Sequence, residues 1–111
     1  MALIAVQKSP EQLRKESLNE LIERVLHRSL SGAIHRQDWF CNKETVERLY
    51  NLLIPHGWRF FGLDTSAPNG EWAIRVENFT ETQKFRGNHT DRTTAFCFAA
   101  EGALLADESR L

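Results

Sequence analysis

The residues with most to offer chemistry lie late in the sequence. Lys84, Phe85, Arg86, His89 and Arg92 place three permanent cations, an imidazole and one aromatic ring just ahead of an expected helix start. Free amides and the dipole at a helix N-terminus favour anions, so a phosphate or an acidic partner could dock there. Glu81 and Asp91 dilute the charge. The cluster reads as a binding loop, and no residue is assigned a catalytic role.

Other reactive side chains lack the spacing that catalysis or metal binding needs. Histidines occur at 27, 35, 56 and 89, and none has a second ligand at a recurrent metal spacing such as HxxxH or HExxH. His27 reads as a surface residue on a charged helix and His56 as part of a helix-ending turn. Cys41 and His35 are the one pairing of a nucleophile with a base, and no oxyanion-stabilising feature accompanies them. The two cysteines, Cys41 and Cys97, form no CxxC pair and are expected to be reduced thiols. Cys97 sits in the run Ala95-Phe96-Cys97-Phe98-Ala99-Ala100, where a thiol acts as a small apolar side chain. The glycines at 32, 57, 62, 70, 87 and 102 are scattered, which disfavours a phosphate loop. Asp107 and Glu108 read as a solvated tail. No metal or cofactor is expected.

Composition sets the frame for these residues. The 111 residues, 12.8 kDa, suit one domain that hides about two thirds of its unfolded surface. A hydrophobic content of 41% with 26% charged residues argues against wholesale disorder. The formal charge of -1 removes any global attraction for nucleic acid, so such binding would have to be local. A local set exists in Arg59, Arg75, Lys84, Arg86 and Arg92, with aromatics available for stacking. No stretch reaches the roughly 18 apolar residues that cross a bilayer, and Met1 to Val6 does not resemble a signal peptide. No membrane partner is expected, and a cytoplasmic location follows by default; the sequons at Asn78 and Asn88 are then without consequence.

The elements that must position these residues are legible in outline. Ala2 to Val6 is a short apolar run suited to a strand. Ser9, Pro10 and Gln12 open a first helix over about 10–31 through a capping box. Leu18, Leu21, Ile22, Val25 and Leu26 fall on one of its faces, and Gly32 suits its end. Ser17 with Glu20 forms a second capping box, leaving one rod or two helices open. Ala33 to Cys41 reads as a connection. Asn42 is the expected cap of a second helix over about 43–54, with Val46, Leu49, Tyr50 and Leu53 inward and Pro55 and Gly57 ending it.

From Trp58 the period changes to two. Trp58, Phe60 and Gly62 alternate with Arg59, Phe61 and Leu63; Trp72, Ile74 and Val76 alternate with Ala73, Arg75 and Glu77; Pro68, Asn69 and Gly70 supply the turn between. An antiparallel hairpin over about 58–63 and 72–78 follows. Residues 81–92 read as an exposed loop with an irregular strand around Phe85 as an option. Thr90 or Asp91 can cap a C-terminal helix over about 91–107, whose broad apolar face implies burial on more than one side. A hairpin alone is marginal in water, so the fold class is α+β, a small antiparallel sheet packed against the C-terminal helix with the two N-terminal helices completing the layer. A third strand from the N-terminus or residues 79–87 would strengthen it.

Gly57-Trp58, then Gly70-Glu71-Trp72-Ala73-Ile74-Arg75-Val76, then Ala95 to Ala100 leading to Ala103-Leu104-Leu105, taken in order, resemble the small phage and prophage proteins called ABA-sandwich proteins. The resemblance covers about half of the chain, and the helical N-terminal half and the polar insertion before the last helix depart from it. It implies a phage or mobile-element accessory protein and brings no catalytic residues. Together these features predict a non-enzymatic macromolecule-binding protein, a modulator of a host or defence protein. The alternatives are a nucleic-acid-binding module and a small enzyme whose site is assembled from distant residues. A homo-oligomer through residues 18–30 is a further option.

Overall fold

The computed structural model describes residues 9–29, 43–64, 66–80 and 82–111. The expectations for Ala2 to Val6, Gly32, Ala33 to Cys41 with His35, and the Asn42 cap fall outside them. The order is α1 (Pro10–Ser29), α2 (Glu44–Leu53), a 3-10 turn (Ile54–His56), β1 (Trp58–Phe61), β2 (Trp72–Asn78), β3 (Gln83–His89), α3 (Arg92–Asp107) and a closing 3-10 turn (Glu108–Arg110). The chain is α+β, with a three-stranded antiparallel meander ordered β1-β2-β3 and packed against the C-terminal helix.

Helix α1 opens on the expected capping box. Ser9 Oγ accepts from the Gln12 amide at 3.2 Å and Gln12 Oε1 accepts from the Ser9 amide at 3.1 Å. The second box at Ser17 starts nothing: one helix runs through it, because Leu18, Leu21, Ile22, Val25 and Leu26 form a continuous buried stripe across that point. The stripe packs into the chain's own core beside α3. Helix α2 begins at Glu44 with Lys43 at its cap position and no side-chain cap bond. Leu49 and Leu53 are buried as expected, together with Thr45, whereas Tyr50 is 39% exposed and lies against Phe60 at 5.7 Å. Pro55 and Gly57 close it, the latter at φ +92 with its N–H donating to Ile54 O.

Strand β1 stops at Phe61, two residues short of the expected end, because Gly62 turns the chain at φ +84. A Cβ there would lie 2.4 Å from Ala73 O. The connection back to β2 uses the anticipated turn, with the Gly70 amide donating to Ala67 O at 2.8 Å across Pro68 and Asn69. Asn78 locks the far end: its Nδ2 donates to His56 O, and its Oδ1 accepts from the Thr80 amide and hydroxyl.

Two expectations are overturned. Residues 83–89 are not an exposed loop: the optional third strand is realised there, regular instead of irregular, and paired along all of β2 from Trp72↔His89 to Asn78↔Gln83. Its inward positions are Gln83, Phe85, Gly87 and His89, and no aliphatic residue advertises it, because α3 comes so close that Gly87 alone fits. A Cβ on Gly87 would lie 2.2 Å from Ala95 O and 2.3 Å from Ala99 N. Asp107 is likewise no solvated tail: it is 1% exposed, and its Oδ2 accepts the Trp58 indole N–H at 2.7 Å.

Helix α3 is the centre of the molecule. Asp91 caps it, accepting from the Thr94 amide at 2.9 Å and the Thr94 hydroxyl at 2.6 Å. Thr94 to Ala100, Ala103 and Leu104 are buried, with Cys97 among them. The sheet covers one side and α1 and α2 the other. Phe60 stacks on Phe96 at 4.5 Å, and Phe85 lies 5.8 Å from Trp58. Arg14 ties α1 to α3, donating to Glu101 Oε1 and Phe98 O with its guanidinium 3.9 Å above the Phe98 ring. Arg24 and Glu108 form a second tie.

Candidate binding face

Alternation along β3 splits the late cluster between two sides of the sheet. Phe85 and His89 point to α3, whereas Lys84 and Arg86 point away from it. Phe85 fills the space that Gly102 leaves, since a Cβ at Gly102 would meet its ring at 2.1 Å. His89 Nδ1 accepts from the Asp91 amide at 2.9 Å, and Nε2 stands 2.6 Å from Glu11 Oε1, so the ring bridges α1 to the start of α3. Arg92 donates from Nε to Leu63 O at 2.8 Å with its guanidinium 5.7 Å from the Trp72 ring. It ties the end of β1 to α3 and does not join Lys84 and Arg86.

Lys84 and Arg86 gain other neighbours. Arg75 stands directly across from Arg86 and Glu77 across from both Lys84 and Arg59. The sheet face away from α3 therefore presents Arg59, Arg75, Lys84 and Arg86, four of the five cations expected of a nucleic-acid surface, with Phe61, Ala73 and Asn88 between them. Glu77 is the carboxylate of this face, 3.6 Å from Arg75. Arg59 is drawn to the sheet edge, where Nη1 donates to Ile54 O and Trp58 O. Among the described residues Lys84 and Arg86 form no ion pair.

At the centre of the face Phe61, Gly62, Ala73, Arg75 and Arg86 line an open depression of about 380 Å³. The Arg75 guanidinium lies 5.0 Å over the Phe61 ring, and Phe79, 65% exposed, meets that ring edge-on at 6.3 Å. Sequence reasoning named Arg59, Arg75, Lys84 and Arg86 but missed Phe61, Gly62, Ala73 and Phe79 as members of a site. The alternation in β1 and β2 already set Phe61, Ala73 and Arg75 on the face opposite the tryptophans. What it lacked was a partner strand to join Arg86 to them.

At the α3 cap, burial alone would raise the Asp91 carboxyl, but the Thr94 hydroxyl and amide hydrogen bonds, with His89 when protonated and Lys15 nearby, hold it below its ordinary value of 3.8. Among the described residues no group of three or more His, Cys, Asp and Glu side chains could hold a metal ion, and no helix is long and apolar enough to cross a membrane.

Fold and face together define a small α+β domain whose three-stranded meander is sealed on one side by a helix and, among the described residues, uncovered on the other. No family model, curated protein or solved structure matches the chain.

Proposed function

We propose that this chain is a non-enzymatic binding module that docks an anionic macromolecule on the open face of its sheet. The direct opposition of Arg75 and Arg86 on neighbouring strands carries this reading. Like charges facing each other across a ladder destabilise it, and a bound anion removes the repulsion. Arg59 and Lys84 extend the same sign across the face against Glu77, the one carboxylate among its described residues, so a chain of formal charge -1 still offers a local cationic field. The ABA-sandwich resemblance implies a phage or mobile-element accessory protein, which accords with a modulator that docks on a partner.

The test is charge reversal at Arg75 and Arg86 together, followed by fluorescence anisotropy titrations of a labelled 15-residue polyglutamate and a labelled 15-nucleotide oligo-dT in low salt. The native chain is expected to bind at least one probe, and the reversed variant to lose it while remaining folded by circular dichroism. Failure of the native chain to bind either probe, or equal binding by the variant, would overturn the proposal.

A further inference from the structure

The depression on the open face has a more specific chemistry than charge alone. We infer that its occupant is single-stranded nucleic acid, one base stacking on Phe61 while Arg75 and Arg86 hold the adjoining phosphates. This inference rests on the open face being the binding surface and adds the class of ligand.

Two features select a single strand. The first is the aromatic pair: Phe61, beneath the Arg75 guanidinium, and Phe79, 65% exposed and edge-on to it, set rings beside two cations, and exposed rings in such a place offer a stacking platform to unpaired bases. A duplex keeps its base faces stacked internally and presents only edges and phosphates. An acidic peptide would use the arginines and gain nothing from the exposed Phe79 ring. The second is shape. Three strands at about 4.8 Å spacing make a shallow surface roughly 10 Å across, and among the described residues no helix or ribbon projects from it to enter a groove.

Two small residues border the depression beside the ring. Gly62 cannot carry a side chain, since a Cβ would strike Ala73 O at 2.4 Å, and the Ala73 side chain is short. Phe79 braces the Phe61 ring from the side and is itself exposed enough to take a neighbouring base. Arg75 and Arg86 then supply planar, bidentate donors for phosphate oxygens at the edge of the ring. Such a strand would bind without strong sequence preference, because every base has a π face.

The experiment compares labelled oligo-dT, a duplex of equal length and polyglutamate on the native chain across a salt series. Oligo-dT should bind most tightly, with an affinity that falls with salt by a slope of about -0.7 per phosphate contacted. Phe61→Leu should weaken it roughly 5- to 150-fold with its salt slope unchanged, the signature of lost stacking. Arg86→Gln should lower the slope by about 0.7 while melting at or above the native temperature. Ala73→Glu, which fills the depression with an opposing charge and touches no core residue, should abolish binding with the fold intact. Tighter binding of the duplex or polyglutamate, or an unaltered affinity in Phe61→Leu and Ala73→Glu, would overturn the single-strand assignment while leaving the cationic face as a docking surface. Loss of all three ligands would overturn both.

Discussion

Substituting Gly87 by Ala tests the contact around which the domain is built. The added Cβ would sit 2.2 Å from Ala95 O and 2.3 Å from Ala99 N, with Phe98 C at 2.9 Å. Ordinary contact begins at 3.4 Å, so the shortfall is about 1.2 Å. All three obstacles are backbone atoms of one helix, and no rotamer change relieves them. Either α3 lifts off the sheet by about 1 Å or β3 leaves its ladder, and both loosen the Phe60 and Phe96 stack and the Trp58 to Asp107 bond. Overpacking of this kind costs about 1–3 kcal/mol, with the rigid obstacles favouring the upper end. For a chain of 111 residues an unfolding entropy of about 2.1 cal/mol/K per residue makes each kcal/mol worth about 4 °C, which predicts a fall of about 4–13 °C in Tm by scanning calorimetry. Gly70→Ala is the control. Nothing lies within 4 Å of its Cβ, and its φ of +82 alone should cost about 1 kcal/mol. A Gly87→Ala protein that melts with the native one, or no lower than Gly70→Ala, would refute the close approach of α3 to β3.

Three further outcomes follow from single contacts. Gly102→Ala should also destabilise, but through the Phe85 ring at 2.1 Å, so adding Phe85→Leu should recover part of the loss and a double-mutant cycle should show a coupling of about 0.5–3 kcal/mol. Asp107→Ala should cost about 1–3 kcal/mol in urea unfolding, because the Trp58 indole N–H is left buried without its acceptor; Asp107→Asn, which keeps an oxygen there, should cost less. Asp91→Ala should cost about 1 kcal/mol at neutral pH through the lost helix cap. The Asp91 carboxyl is held below 3.8 in the folded chain, so its contribution is fully present above that value. The stability gap between the native chain and Asp91→Ala should therefore stay constant from neutral pH to about 4 and narrow as pH falls through the depressed value.

Helices and the hairpin were legible because each is written in local terms. The Ser9 and Gln12 box, the leucine stripe from Leu18 to Leu26 and the alternation of Trp58 and Phe60 with Arg59 and Phe61 each depend on residues within a few positions of one another. Strand β3 was obscured because its inward residues answer to α3 rather than to a period. Gly87 is set by the backbone of Ala95 and Ala99, and Phe85 is matched to the missing side chain of Gly102. Asp107 was misread for the same reason, since its partner, Trp58, lies 49 positions away. The late cluster of Lys84, Phe85, Arg86, His89 and Arg92 was a cluster in sequence only, because consecutive strand residues face opposite ways.

The sequence by itself determined the class of fold, the capping of α1 and α3, which faces of α1, β1 and β2 turn inward, and the identity of the cations available for binding. These follow from nearest-neighbour backbone chemistry and from the periods of helix and strand. Tertiary structure alone decided between loop and strand for residues 83–89, that Phe85, His89 and Arg92 serve the fold, and that Arg75 and Arg86 stand together beside Phe61. The register between strands and the approach of α3 to the sheet are set by contacts between residues far apart in the chain, and no local pattern encodes them.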